Sequence, residues 1–336
     1  MKYEQWYQLL NQSTEILMKD LNISYLEALL ETLENLNDGG KVFVENGKPS
    51  EIVAQQLNDL YAKMASEQKD ANVLRKAIQL CLLKGMKDLS VHANHQMTPD
   101  SIGTLVAFLV DLIVLPQLDG STIFLADLSV GTGNLLFTVY NYLVSKNDIQ
   151  LHLTGIDNDD LLLAIASASA ALQGIDAQWF FQDSLTPILM TPAQVMVSDL
   201  PAGFYPNKEN SKKYELSLEQ GMSYSHFLLV EQHLNYLMQG GFGLFILPAN
   251  VFEQENGEML LQFIQDKADL LAVIRLPEEF FASKEMVKAI LLVRKHTDQV
   301  VHHAPKVFIG QAPNFKDIDQ TKHFLSEIAQ WNKQFS

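Results

Sequence analysis

Residues 123–134 restrict the fold of this chain more than any other stretch. They read Ile-Phe-Leu-Ala-Asp-Leu-Ser-Val-Gly-Thr-Gly-Asn. Residues 123–128 have the length and branching of a buried parallel strand, a turn of small residues follows, and Asn134 opens an amphipathic segment. A strand, a tight turn and a helix in this order are typical of a ligand site, because Gly131 and Gly133 can adopt positive φ and let a ligand lie against bare backbone.

A second apolar run, residues 151–156, ends in Asp157. An acidic residue at the end of the strand that follows a glycine turn can accept hydrogen bonds from the hydroxyls of a ribose. The turn and Asp157 together predict a site for a nucleoside cofactor.

The remainder of the chain alternates apolar runs with helical patterns, as βαβ folds do. Strands are expected at residues 123–128, 151–156, 177–181, 194–198, 241–247, 270–275 and 288–293, and helices at residues 159–172, 223–238 and 259–266. The prediction is an α/β domain with a mostly parallel sheet of seven strands. Ligands bind at the carboxyl ends of such strands, where Gly131, Asp157, Asp183 and Asp199 fall.

The first 90 residues carry helical patterns only. Apolar residues recur every three or four positions over residues 3–19, 24–36, 49–64 and 71–87. We therefore expect a small all-helical domain over residues 1–92 and the α/β domain over residues 93–336. At the junction, Thr98 is expected to cap a helix that has Pro99 as its first residue.

Charge and composition limit the partners and the compartment. The net charge is −16, and neither residues 1–100 nor the remainder has an excess of basic residues, so weak nucleic-acid binding is expected. No apolar stretch is expected to span a membrane, because Asp111 interrupts the best candidate. A single cysteine, Cys81, and no apparent signal peptide favour the cytoplasm.

The loop after the fourth predicted strand, residues 198–206, carries a possible catalytic group. Asp199 is followed by Leu200, which Pro201 restricts to an extended conformation, so a carboxylate and a backbone carbonyl stand side by side. Two such acceptors can hold one amine. In the alternative interpretation Asp199 caps a turn, and Phe204 and Tyr205 cover the core.

These residues carry a resemblance to a known family. In their order along the chain they resemble the S-adenosylmethionine-dependent, adenine-specific DNA methyltransferases that act on amino groups, especially the modification subunit of type I restriction systems. The residues concerned are Thr98-Pro99, residues 127–133, Asp157, Asp183 and Asp199-Leu200-Pro201. Residues 240–250 and 271–277, followed by Phe280 and Phe281, are similar to later strands of that family, so the likeness covers residues 90–296.

The resemblance implies a Rossmann-like class I methyltransferase domain, S-adenosylmethionine as cofactor, and methyl transfer to an exocyclic amine of a nucleic-acid base. Thr98 and Pro99 would meet the methionine end of the cofactor. The surface on which the cofactor lies would be formed by Asp127, Gly131, Gly133 and Asn134. Asp157 would hold the ribose, and Asp183 would bind the amine of the cofactor adenine. The catalytic group would comprise Asp199, Leu200 and Pro201, with Phe204 or Tyr205 against the base.

The chain departs from the family pattern at two positions. Leu200 stands in place of the first proline, and Ala202 stands where an aromatic residue would stack on a flipped base. Only about forty residues follow the last predicted strand and they hold no basic cluster, so no target-recognition domain is expected there, and a protein partner is one possible source of recognition. His302 and His303 lack partners at metal-ligand spacing, and no metal site is predicted.

Two alternatives to a nucleic-acid methyltransferase stay open. One is a methyltransferase with another substrate. The other is a protein that binds S-adenosylmethionine without catalysis and serves regulation or assembly. A nicotinamide dehydrogenase is disfavoured, because the turn lacks the third glycine of the GxGxxG pattern.

Overall fold

The computed structural model describes residues 2–66, 70–88, 97–297 and 306–335. The chain begins with four helices, whose apolar faces meet in one core: α1 (Tyr3–Leu21), α2 (Tyr25–Asn37), α3 (Glu51–Ala65) and α4 (Ala71–Asp88). Helix α2 starts with a capping box, in which Ser24 and Glu27 satisfy each other's backbone amides. The predicted helical domain is confirmed. Its predicted boundary, between residues 92 and 93, lies outside the described residues.

An α/β domain follows. Its first helix, α5 (Asp100–Leu109), continues through a π-helical turn (Val110–Val114) and a 3-10 turn (Leu115–Gln117). The strands are β1 (Thr122–Asp127), β2 (Gln150–Asp157), β3 (Ala177–Phe181), β4 (Ala193–Asp199), β5 (Leu237–Pro248), β6 (Ala268–Arg275), β7 (Lys288–Lys295) and β8 (Phe308–Gln311). The remaining helices are α6 (Asn134–Lys146), α7 (Asp160–Gln173), α8 (Lys208–Ser211), α9 (Ser225–Tyr236), α10 (Gly257–Lys267) and α11 (Ile318–Asn332).

The eight strands form one sheet in the order β3-β2-β1-β4-β5-β7-β6-β8. Strand β7 is antiparallel to both of its neighbours, and every other pair is parallel. The mostly parallel sheet is confirmed, but the predicted count of seven strands was wrong. The eighth, β8, has only four residues, lies at the sheet edge and leaves Ile309 80% exposed, so its apolar signal is weak.

The strand order reverses at β1, because β2 and β3 lie on one side of it and β4 on the other. Ligand sites in open α/β sheets lie at such a reversal, beyond the carboxyl ends of the strands. Strands β1, β2 and β4 end in Asp127, Asp157 and Asp199. The topology therefore brings three carboxylates to one edge.

Helix α5 differs from its prediction in two respects. Its N-cap is Pro99, one residue later than expected, and the Thr98 hydroxyl donates to Asp199 instead of capping the helix. The helical segment Asp100–Gln117 is also long and apolar enough to cross a membrane, so the expectation that Asp111 prevents this was wrong. Burial accounts for this composition, since half of the segment is enclosed and its apolar residues pack in the sheet core.

Helix α7 joins the two domains. Leu163, Ala166 and Ala170 on one face belong to the core of the sheet. Residues on the other face, Ile165 and Leu172 among them, belong to the core of the helical domain. Small residues in the sequence Ala-Ser-Ala-Ser-Ala-Ala allow this close approach on two sides.

Candidate active site

A cavity of about 400 Å³ opens at the carboxyl ends of β1, β2 and β4. Nine of the predicted site residues line it: Thr98, Asp127, Gly131, Asn134, Asp157, Asp183, Asp199, Pro201 and Tyr205. The other four are not among the lining residues, although each is next in the chain to one of them: Pro99, Gly133, Leu200 and Phe204. The residues that the sequence analysis took from distant segments are thus brought together in one place.

The two glycines of the turn differ in their surroundings. Gly131 has a φ of +51°, and a Cβ built there would meet no atom within 4 Å, so its backbone faces open space in the cavity. Gly133 has a φ of +78°, and a Cβ would lie 2.4 Å from the Phe137 ring. Gly133 is therefore required by the backbone turn and by the packing of α6.

Asp127, at the end of β1, is 2% exposed. Its Oδ1 accepts hydrogen bonds from the Ser129 amide at 2.9 Å and the Ser198 hydroxyl at 2.6 Å. Burial raises the pKa of Asp127 to about 7, and the neighbouring charges of Asp157 and Asp199 add to the rise. Its ionisation near neutral pH therefore changes the charge of the cavity.

Asp157 and Asp183 are each held by hydrogen bonds from neighbouring backbone. Asp157 Oδ2 accepts from the Gly131 amide at 2.7 Å, and burial raises the pKa of this carboxyl. Asp183 Oδ1 accepts from the Leu185 amide at 2.9 Å, and its Oδ2 accepts from the Tyr205 hydroxyl at 2.5 Å. Tyr205 is buried and directed at Asp183.

Asp199, at the end of β4, has a partner on each oxygen. The Thr98 hydroxyl donates to Oδ2 at 2.7 Å, and the Lys288 ammonium donates to Oδ1 at 2.5 Å. The Asp199 side chain is 17% exposed and the Lys288 side chain is 24% exposed. Asp199 thus enters the cavity as a fixed carboxylate in an ion pair.

The loop after Asp199 places its aromatic residues unequally. Leu200 is fully buried and its amide donates to the Ile246 carbonyl at 2.9 Å. Phe204 is 53% exposed and stacks on Tyr224, with ring centroids 4.9 Å apart and an angle of 23° between the planes. Phe204, the chain neighbour of the lining residue Tyr205, therefore keeps aromatic surface that is accessible to a ligand.

The helical domain reaches the cavity through α4. Met86 lines the cavity, and the buried Arg75 pairs with Asp100 through two hydrogen bonds of 2.8 Å. Arg75 also donates to Asn134 Oδ1 at 3.1 Å, and Asn134 donates to the Thr98 carbonyl at 2.9 Å. A continuous chain of polar contacts thus runs from the helical domain to Asp199.

The sequence patterns did not predict a place in the site for Arg75, Met86 or Lys288. Arg75 and Met86 lie on a helix whose pattern predicts only packing, and Lys288 opens a strand predicted on its apolar residues alone. Within the described ranges, no group of three or more His, Cys, Asp or Glu side chains is arranged to hold a metal ion. His302 and His303 lie outside the described residues.

The cavity suits a nucleoside that carries positive charge. Five carboxylates line it, those of Asp127, Asp157, Asp159, Asp183 and Asp199. Apolar side chains interleave with them: Val130, Leu135, Leu162 and Leu185. Acidic groups attract the sulfonium and ammonium charges of S-adenosylmethionine, and the apolar groups can cover its adenine ring.

The chain matches two protein families. Residues 4–86 match the YtxK N-terminal helical domain, and residues 90–335 match the N-6 DNA methylase family. A relative over nearly the whole length is the uncharacterised protein YtxK of Bacillus subtilis (strain 168), with 35% identity over 333 residues, 98% of this chain and 97% of that protein.

Solved structures with the same fold include two informative cases. A candidate class I S-adenosylmethionine-dependent methyltransferase from Listeria monocytogenes is 36% identical, with a TM-score of 0.89 and 98% of each chain covered. The modification subunit of a candidate type I restriction enzyme from Vibrio vulnificus YJ016 is 13% identical, with a TM-score of 0.67, covering 99% of this chain and 90% of that one. The second likeness concerns the fold alone.

Proposed function

Because this chain belongs to the N-6 DNA methylase family and S-adenosylmethionine is its cofactor, we propose that it transfers a methyl group to an exocyclic amine of a nucleic-acid base. The observation that carries the proposal is the placement of Asp199 in the same cavity as the glycine turn and Asp157. A methyl acceptor held by Asp199 would lie beside a cofactor held by that turn.

The cofactor side of the proposal assigns a role to each predicted residue. Asp157, held by the Gly131 amide, would accept hydrogen bonds from the ribose. Asp183 and Tyr205 form a pair beside the expected adenine position. Thr98 and Pro99 would meet the methionine end, and Asp127, Gly131, Gly133 and Asn134 would form the surface on which the cofactor lies. When bound, S-adenosylmethionine supplies an electrophilic methyl group on a sulfonium.

The acceptor side depends on two hydrogen-bond acceptors. The lone pair of an exocyclic amine is delocalised into the aromatic ring, so the amine is a poor nucleophile. Asp199 and the Leu200 carbonyl, with Pro201 restraining Leu200, would accept the two amine hydrogens and direct the lone pair at the methyl group. With the amine held in line with the methyl group, the new N–C bond forms as the S–C bond breaks, the sulfur leaves as a neutral thioether, and the proton freed from the amine passes to water. This alignment supplies much of the remaining rate.

Phe204 is the favoured aromatic contact for the base. It follows two residues after Ala202, which stands where the family pattern has an aromatic residue, and it is 53% exposed. Tyr205 is committed to Asp183, which makes it a poorer stacking residue. We expect Phe204→Ala to slow methyl transfer more than it weakens cofactor binding, with Phe43→Ala, at 63% exposure in the helical domain, as the matched control.

A second candidate function has one observation in its favour. Both oxygens of Asp199 already accept hydrogen bonds, from Thr98 and Lys288. In this second function the Asp199 carboxylate has a structural role only. The protein would then bind S-adenosylmethionine without catalysis, in regulation or assembly. For the nucleic-acid methyltransferase, a protein partner in the cytoplasm would supply target recognition, since the acidic chain is expected to bind nucleic acid weakly by itself.

Transfer of labelled methyl groups tests the proposal. Wild type is incubated with methyl-labelled S-adenosylmethionine and the DNA, RNA and protein fractions of a lysate that lacks this chain. We expect label in a nucleic-acid fraction, its loss in Asp199→Ala, and nearly unchanged cofactor affinity of that variant by calorimetry. Asp157→Ala should instead weaken cofactor binding by ~1–3 kcal/mol, the cost of a lost charged hydrogen bond.

The outcomes separate the candidates. Label in protein alone favours a methyltransferase with another substrate. Cofactor binding at micromolar concentration without transfer to any fraction refutes the enzyme and leaves the non-catalytic protein.

A further inference from the structure

Lys288 reaches the site because of the direction of its strand. Strand β7 runs antiparallel to β5, and its first residue, Lys288, pairs with Pro248, the last residue of β5. The amino end of β7 therefore lies at the same sheet edge as the carboxyl ends of the parallel strands. A lysine that precedes an apolar strand in the sequence becomes a neighbour of Asp199.

The ion pair leaves bonding capacity on both partners. An ammonium group has three N–H donors, and Asp199 Oδ1 takes one of them at 2.5 Å. Each carboxylate oxygen can accept two hydrogen bonds, so Asp199 can still accept from a ligand after Thr98 and Lys288 are bound. Both side chains keep some exposure, 24% for Lys288 and 17% for Asp199. A donor and an acceptor thus stand next to each other at the site.

Resting on the proposed function, we propose that Lys288 and Asp199 together recognise the N=C–NH2 edge of an adenine or cytosine base. In that edge a ring nitrogen acceptor and an amine donor are separated by one carbon: N1 and N6 of adenine, N3 and N4 of cytosine. Asp199 accepts from the amine, and Lys288 donates to the ring nitrogen. Asn and Gln read adenine in the major groove with the same adjacent donor and acceptor.

The pair disfavours most other ligands. Guanine has the same edge at N3 and N2, but there the edge lies beside the sugar attached to N9. Thymine and uracil carry a carbonyl in place of the amine and a ring N–H in place of the ring nitrogen. In the same orientation an acceptor would face the Asp199 carboxylate and a donor would face the Lys288 ammonium. An aliphatic amine has no acceptor for Lys288. A carboxamide has a suitable donor and acceptor, but the exposed Phe204 face, stacked on Tyr224, favours a planar aromatic ring. Lys288 is accordingly a specificity residue that touches the substrate.

The test compares adenine with 1-deazaadenine, in which a C–H replaces N1 and the N6 amine is kept. Single-stranded thymine oligonucleotides with one central adenine, cytosine or 1-deazaadenine serve as probes. Methyl transfer to each is measured as kcat/KM, and binding by anisotropy with S-adenosylhomocysteine present. For wild type we expect adenine to exceed 1-deazaadenine by about tenfold, within the range for one well-placed polar contact to a base.

Three variants isolate the lysine. Lys288→Met should lose the preference, with adenine falling to the level of 1-deazaadenine, whereas Lys288→Arg, which keeps a donor, should restore part of it. Lys284→Met is the matched control: it removes the same charge four residues earlier, from a side chain that is 81% exposed, and should keep the full preference. Cofactor affinity should be unchanged in all three.

Three results would overturn the assignment, and they can be told apart. If an active wild type uses adenine and 1-deazaadenine equally well, Lys288 does not contact the substrate. The same conclusion follows if Lys288→Met keeps the full adenine preference. Either result leaves the proposed function standing. No binding to any oligonucleotide and no transfer to any of them refutes base recognition and the proposed function together.

Discussion

Arg75 connects the helical domain to Asp100 and Asn134 of the α/β domain, and replacing it with methionine should destabilise the protein strongly. Arg75 is 4% exposed, and Asp100, its partner, has a side chain that is 33% exposed. Removing one partner of a fully buried ion pair costs ~3–5 kcal/mol. Because Asp100 is partly solvated and keeps its hydrogen bond from Gln79, we expect a loss of about 2–3 kcal/mol in the free energy of unfolding.

The assay is chemical and thermal unfolding followed by circular dichroism. The expected loss corresponds to a fall in Tm of about 3–4 °C for a chain of this size. Asn134 also loses its hydrogen bond from Arg75, so the Kd for S-adenosylmethionine should rise roughly fivefold, equivalent to about 1 kcal/mol. The control is Lys84→Met, which breaks the more exposed Glu15–Lys84 pair within the helical domain and should cost less than about 1 kcal/mol.

The pH dependence gives a second readout. Burial raises the pKa of Asp100, but the hydrogen bonds and charge of Arg75 outweigh it and hold this pKa below 3.8. A lowered carboxyl pKa contributes stability that is present above the unfolded pKa and is lost as pH falls through the folded one. The difference in the free energy of unfolding between wild type and Arg75→Met should therefore become smaller below about pH 4. This account would be refuted if Arg75→Met lost no more free energy of unfolding than Lys84→Met. It would also be refuted if the difference between wild type and Arg75→Met did not change with pH.

Three further predictions follow from the site. Because burial raises the pKa of Asp127 from 3.8 to about 7, its protonated form stabilises the folded state; the Tm of wild type should fall between about pH 4 and about pH 7, more steeply than that of Asp127→Asn. Gly133→Ala should cost ~1–3 kcal/mol more than Gly174→Ala in urea unfolding, since both glycines have positive φ but only Gly133 faces a close contact. Isolated protein should bind duplex DNA with a Kd above about 10 μM at ~0.15 M salt, and binding at nanomolar concentration would contradict the absence of a basic face in the sequence.

Periodicity predicted most of the fold. Each of the seven expected strands is present, because buried parallel strands are continuous apolar runs that need few other signals. Strand β8 was missed, since four half-exposed residues at an edge carry little pattern. The start of α5 was placed one residue early because a threonine before a proline satisfies the rules of a cap, whereas the hydroxyl of Thr98 finds a charged acceptor across the site.

The site residues that could be predicted are those that stand at the ends of predicted strands. Asp127, Asp157 and Asp199 could be placed together because parallel strands end at one edge. Lys288 could not, since its position depends on β7 being antiparallel, and no local pattern of residues distinguishes that direction. Arg75 could not either, because its role requires the packing of α4 against the turn, a contact between distant segments.

The position of helix α7 between the two domains affects how the protein unfolds locally. It is buried on both faces, with Leu163 and Ala166 in one core and Ile165 and Leu172 in the other, and it starts three residues after Asp157. Neither domain can unfold locally without exposing one of these faces to water. The backbone amides of α7 should therefore be among the slowest to exchange with deuterated solvent, and the two domains should exchange as one cooperative unit. Ligands that order Asp157 should then slow exchange in the core of the helical domain.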